Sequence, residues 1–371
     1  MINAMMRRLS LPLALACVLG GCAPPEPIRL GFIGGVSGRV ADLGIGGRNG
    51  AALAIEMRNK AGGVDGRSVE LIVEDDRQDS ATAKQAVARL IARKVDAIIG
   101  PMTSAVAVAT VPLVNEARVT MISPTVTTSK LSGIDDYFLR VIAPTTDYAR
   151  KGAEYHYANQ GHRRIAAAYD LRNSAYSENW LADYRRAFVA LGGEIVTTEA
   201  YASGDETDFV HMAERLLTKR PDAVLIIANS VDTAMLAQQL HKRDPAVHVT
   251  ASEWAATERL TELGGKAIEG MVIAQFLDRE STAPAYVAFR DAYVERFALE
   301  PGFAGITGFD AANVVLDALA DRKAGQSLKE AILARGVFAG AQSEIRFDAT
   351  GDASRATYMT VIRNGTFVRV H

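Results

Sequence analysis

The chain has 371 residues, 41 Lys plus Arg against 43 Asp plus Glu and a formal net charge of −2, with no basic run that would favour a nucleic-acid partner. Its two cysteines, Cys17 and Cys22, fall within the first 22 residues, so the body must hold its fold without disulfides. A chain this long can do so through one or two full hydrophobic cores.

Taken in chain order, the first element is an export signal: Arg7 and Arg8, an apolar stretch Leu11 to Leu19 too short to span a bilayer, and small residues before Cys22. Leu19-Gly20-Gly21-Cys22 resembles a bacterial lipobox, which implies lipidation at Cys22; an ordinary signal with an incidental cysteine is the alternative. "APPEP" then reads as a stiff tether. Beyond the signal, no apolar run is long enough for a transmembrane helix.

The body opens "IRLGFIGGVSGRVADLGIGGRNGAALAIEM", an apolar run, a glycine-rich stretch and a helical pattern. That layout suggests a nucleotide-phosphate cradle, but the register is wrong. Gly31, Gly34, Gly35 and Gly38 do not form Gly-x-Gly-x-x-Gly, and Gly44-Ile45-Gly46 meets Asn49 at the third position. Asp75 and Asp76 lie far beyond the roughly 20-residue offset of a ribose-binding acid. Strand-like runs then alternate with helices: "SVELIVED" before "SATAKQAVARLIARK", "DAIIG" before "SAVAVATVPLVNEA", then "VTMISP". Such alternation predicts a parallel sheet covered on both faces, with Ala83, Ala86, Val87, Leu90 and Ile91 as one helix's apolar stripe.

After "FLRVIAPTTDYARKGAEY" the pattern restarts with "RRIAAAYD", "EIVTTEAY", "DAVLIIAN", "HVTAS" and "EGMVIAQF" as strands between helices. Two such units predict two α/β lobes, the chain passing between them near Val141 to Thr146 and Phe276 to Arg279. Helices at Pro284 to Phe297, Phe303 to Asp321 and Leu328 to Ala334 follow, then the strand-like "EIRFD", "TYMTVIR" and "FVRV".

The order and spacing of "GGRNGAALAIEMRNKAGGVDGRSVELIVEDDRQDSATA", "DAIIGPMTSAVAVATVPLVNEARVTMISPTVTTSKL", "YFLRVIAPTTD", "AIEGMVIAQ", "TGFDAANVVLDAL" and "EIRFDATGDA" resemble the substrate-binding proteins of branched-chain amino-acid-type ABC transporters. The resemblance covers nearly all of the body after the tether. It implies the type I periplasmic-binding fold: two Rossmann-like α/β lobes with parallel-sheet cores and a multi-strand hinge. The division expected is signal 1–21, tether 22–27, first lobe 28–143 plus 278–344, and second lobe 144–277 plus 345–371. It also implies a receptor in the periplasm or on the outer face of a bacterial membrane that closes on a small amino acid or carboxylate and delivers it to permease subunits, with no cofactor; the lipobox-like stretch adds the lipid anchor at Cys22. In this family the loop Gly34 to Gly46 would border the ligand cleft.

The resemblance further implies site residues. Ser104 at a helix start would serve both as N-cap and as carboxylate contact, and Thr125 and Thr127 would add main chain and hydroxyl. Glu253 would meet an ammonium group, with Asp310 a second candidate acid or merely a helix-start acid. Tyr176, with Asn173 or Ser174 as substitutes, would line the cleft, and Trp254 would wall the side-chain pocket. Leu43 stands where relatives often carry an aromatic, and Arg39 and Arg48 nearby would favour a ligand with an extra carboxylate or none of the amine. A signalling or envelope-regulatory lipoprotein using the fold as an interaction module is the alternative function. An enzyme has little to recommend it: there is no Gly-x-Ser-x-Gly elbow and no Walker A motif. His156, His162, His211, His241, His248 and His371 lack metal-ligand spacing and read as surface or structural.

Overall fold

The computed structural model describes residues 25–370; the export signal and Cys22 lie outside them. The first sheet is built from β1 (Ile28–Gly34), β2 (Val69–Asp75), β3 (Ala97–Ile99), β4 (Met121–Ser123) and β5 (Phe138–Arg140), with α1 (Ala41–Lys60), α2 (Ser80–Ala92) and α3 (Ser104–Ala117) between them. Its order is β2-β1-β3-β4-β5 and every pairing is parallel. Ala83, Ala86, Val87 and Leu90 of α2 are buried on this sheet, and Asp79 caps the helix by accepting from the Thr82 N–H at 2.7 Å.

The chain then enters a second unit: α4 (Thr145–Ala158), β6 (Arg164–Asp170), α5 (Ser174–Ala190), β7 (Glu194–Tyr201), α6 (Phe209–Leu217), β8 (Ala223–Ile227), α7 (Ser230–Arg243), β9 (His248–Ala251), α8 (Glu258–Gly264) and β10 (Val272–Gln275). It returns to the first unit as α9 (Pro284–Phe297), α10 (Phe303–Asp321) and α11 (Leu328–Arg335), and adds a small antiparallel sheet of β11 (Val337–Ala339), β12 (Glu344–Phe347) and β13 (Ala353–Ser354). Finally β14 (Tyr358–Arg363) and β15 (Thr366–Arg369) join the second sheet, order β15-β14-β10-β9-β8-β6-β7, antiparallel only at β10-β14 and β14-β15. The architecture is thus two α/β units with parallel-sheet cores.

Three details differ from the sequence reading. The boundary expected at 344/345 falls inside β12; the chain leaves the first unit only after β13, because Gly351 and Asp352 are bonded to β5 through the Arg140 N–H (3.1 Å to the Gly351 carbonyl) and the Arg140 guanidinium (2.7 Å). The loop expected from Gly34 to Gly46 is shorter: α1 begins at Ala41, leaving a loop of Gly35 to Ser37 and a 3-10 turn, Gly38–Val40. And α10 is long and apolar enough to cross a membrane by length and composition, a feature the sequence reading passed over. Here 78% of that apolar window is buried, and α10 packs against α1 as a core helix. The contact is close enough that a Cβ on Gly50 would lie 1.9 Å from the Gly305 carbonyl oxygen, and one on Gly308 2.2 Å from that of Gly47.

Candidate functional site: a cavity between the two sheets

The glycines therefore serve helix packing, and the residues facing the interlobe cavity come from other positions. Seven of the eight expected residues, Leu43, Ser104, Thr125, Thr127, Tyr176, Glu253 and Trp254, line one cavity together with Met102, Ile142, Asn173 and Phe303. It encloses about 20 Å³, room for about one water, so any larger solute can enter only if the two units part.

The first unit contributes donors. Thr103 is the N-cap of α3, and Ser104, expected as the cap, is instead its first helical residue; it is buried at the positive end of the helix. The next N–H, of Ala105, donates to Asn173 Oδ1 of the second unit at 2.9 Å. Thr125 is already committed: its hydroxyl donates to the Met102 carbonyl at 2.6 Å. The Thr127 hydroxyl is buried with no hydrogen-bond partner, while its carbonyl accepts from the Thr145 N–H at 2.8 Å, tying the loop to the first crossover.

The second unit contributes an acceptor. Glu253 follows β9 in a 3-10 turn, Glu253–Ala255, and is buried. Its Oε2 accepts from the Trp180 indole N–H at 2.8 Å, leaving Oε1 without a partner. Burial raises its pKa to about 7, against the opposing pull of the hydrogen bonds it accepts. The Tyr176 hydroxyl, also unpartnered, has its pKa pushed well up by burial and by the nearby Glu253 charge. Tyr176 and Trp254 meet edge to face at 5.5 Å and form one wall. Leu43, Met102, Ile142 and Phe303 supply apolar surface. The cavity can thus offer hydroxyls and a helix N-terminus to an anionic group, a buried carboxylate oxygen to a cationic one, and an apolar remainder to a hydrocarbon part.

Asp310 is a correction. It lies inside α10, fully buried, paired with Arg355 and accepting from the Ala341 N–H at 2.8 Å; it does not line the cavity. The arginines are a second correction. Arg39 is bound to Asp232 and Asp205, and Arg48 donates to Asn49 Oδ1 at 2.8 Å, so neither guanidinium is directed to the cavity. Of the histidines, read as surface or structural, His156 and His162 are buried. His156 lies between the Tyr184 hydroxyl (2.8 Å) and the Thr250 hydroxyl (2.9 Å), and burial lowers its pKa to about 3. Among the described residues no group of three or more His, Cys, Asp or Glu is placed to hold a metal ion.

Sequence reasoning missed Met102, Ile142 and Phe303, which join the cavity only through tertiary folding, and Trp180, which orients Glu253 from behind. A larger crevice of about 780 Å³ lies among α8, α9 and β15. It is open to solvent, and its Arg279 and Arg290 are already paired with Glu258 and Asp291. Size alone does not make it the site, since it lacks the unpaired buried groups that converge in the smaller cavity.

Residues 27–366 match the family model described as periplasmic binding protein. A Leu/Ile/Val-binding protein of Rhizobium johnstonii is 28% identical over 68% of each chain. A leucine-binding protein from Thermotoga maritima superposes with a TM-score of 0.84 at 27% identity, over 93% of this chain and 98% of that one. The solute-binding protein of an ABC transporter from Rhodopseudomonas palustris, in complex with 3,4-dihydroxybenzoic acid, has the same fold at 22% identity, with a TM-score of 0.83 over 93% and 96%.

Proposed function

The chain belongs to the periplasmic binding protein family, and on that premise we propose that it is the receptor of an ABC importer, closing its two lobes on a small α-amino acid or related carboxylate and delivering it to a membrane permease. The family places it outside the cytoplasm, and Cys22, at the end of the lipobox-like Leu19-Gly20-Gly21-Cys22, is the proposed lipid anchor. The observation that carries the ligand class is the pairing of opposite chemistries across one closed cavity. Ser104, Thr127 and the start of α3 face it from one lobe, and the unpaired Glu253 Oε1 from the other. A zwitterion with a short apolar side chain satisfies both sides, whereas a benzoate-like acid would satisfy the donors and leave Glu253 unpaired.

Calorimetry with L-leucine, L-alanine and benzoate tests the assignment. Glu253→Ala should weaken the amino acids by about tenfold or more, the scale of one lost charge-assisted bond, while benzoate binding stays within about twofold. Binding of benzoate alone by the wild type, or unchanged amino-acid affinity in the variant, would remove the ammonium from the assignment.

A further inference from the structure

Beside the cavity the two lobes are joined by groups that do not line it. Arg39, in the 3-10 turn before α1, donates from Nη1 to Asp232 Oδ1 at 2.8 Å and from Nη2 to Asp205 Oδ1 at 3.0 Å. Three residues on, Asp42 Oδ2 accepts from the Ser230 and Thr257 hydroxyls, each at 2.6 Å. Ser230 and Asp232 belong to the first turn of α7, whose N-cap Asn229 accepts from the Asp232 N–H at 3.0 Å. The Asp42 carboxylate is therefore at the positive end of that helix.

The partners on the second lobe are built to need these contacts. The Asp232 side chain is 0% exposed, and its Oδ2 has no hydrogen-bond partner. Asp170 is buried close behind it and adds negative charge to the same corner. Parting the lobes withdraws Arg39, leaving Asp232 without its cation, and strips Ser230 and Thr257 of their shared acceptor. In the closed form the Arg39–Asp232 pair is shielded from water, so its attraction is little screened; Asp205, which is exposed, adds little. Closure thus gains from the protein's own groups before any solute is bound.

We infer that Arg39 and Asp42 form an interlobe latch that sets the closed population of the ligand-free protein and, through it, ligand affinity. They are positioning residues: they touch the opposite lobe and do not line the cavity. The consequence for affinity rests on the receptor assignment above, but the latch is a property of the empty protein and is tested there.

Small-angle X-ray scattering of the ligand-free protein at low and at 1 M salt reads the lobe separation directly. The wild type should be compact at low salt, Arg39→Gln and Asp42→Ala should each have a larger radius of gyration, and 1 M salt should leave the wild type compact, because a pair whose carboxylate is 0% exposed is screened far less than a surface pair. Calorimetry with L-leucine should then show affinity lowered about fivefold or more in Arg39→Gln, with substantial recovery in Arg39→Lys. Identical scattering for wild type and both variants at both salts overturns the latch. If leucine and benzoate both fail to bind the wild type, the receptor's ligand class falls, while the scattering still decides the latch.

Discussion

Glu253 is a carboxylate without a salt-bridge partner, held half in and half out of use. Burial raises its pKa from the ordinary value of 4.5 to about 7, so between those pH values the folded protein holds a proton that the unfolded chain has released. This contribution is complete below pH 4.5 and is lost as the pH rises through 7; it amounts to about 3 kcal/mol in all, to order of magnitude. Asp76 and Asp170, raised by burial to about 6, slope the same way. The Glu253 part is therefore read as the difference between wild type and Glu253→Gln in urea unfolding. The variant should be the more stable at pH 8 and show no advantage at pH 4.5; parallel curves across that range would place the carboxylate in a wetter setting. Binding has the opposite sense. An ammonium group needs the ionised form, so amino-acid affinity should fall toward tenfold per pH unit below 7, and calorimetry in buffers of different ionisation heat should detect proton release on binding. Affinity independent of pH from 8 to 5 would mean the ligand does not meet Glu253.

At the level of elements, α1 and α10 show why part of the fold was legible in the sequence and part was not. The strand–helix alternation placed α2, α9 and α10 correctly because each carries its own apolar pattern or terminal signal, such as Pro284 in the first turn of α9. The start of α1 differs from the expected one because Gly44, within the first turn of the helix, disfavours a helix by about 1 kcal/mol, a local penalty that says nothing about the partner helix. That partner decides the matter, since α10 brings Gly305 and Gly308 against α1 and permits backbone contact. The cavity divides in the same way. Ser104 at the start of α3, Thr127 in the loop after β4 and Glu253 in the 3-10 turn after β9 follow strand ends whose motifs are visible in the chain, whereas Phe303 and Ile142 reach it through packing with no local mark. Gly50→Ala should therefore destabilise by about 1–3 kcal/mol or more, the scale of core overpacking, because its Cβ meets a backbone oxygen that cannot move aside. Gly46→Ala, whose Cβ would lie 3.2 Å from the Ala304 Cβ, should cost less. Equal denaturation midpoints for the two variants would show that the helices can separate without penalty.

For the whole molecule, opening and closing must be absorbed by the three segments that link the units: 141–144, 276–283 and 355–357. The third is fastened to the first lobe right up to its start. Arg140, with its side chain 0% exposed, holds Asp352 at 2.6 Å, and Arg355, also 0% exposed, pairs with Asp310 of α10. Nε and Nη1 of Arg355 have no hydrogen-bond partner, so among the described residues Asp310 is the carboxylate that compensates that buried charge. This arrangement separates two roles that the sequence left open for Asp310. As a ligand contact, Asp310→Ala would weaken solute binding and leave stability nearly unchanged. As the anchor of the third crossover, the same substitution strands a buried guanidinium and should cost about 3–5 kcal/mol of unfolding free energy, lowering the urea midpoint sharply. Amino-acid affinity, measured on the folded fraction, should stay within about twofold of the wild type, because the groups facing the cavity are untouched. A large loss of affinity at unchanged stability would return Asp310 to the cleft and move the hinge anchor elsewhere.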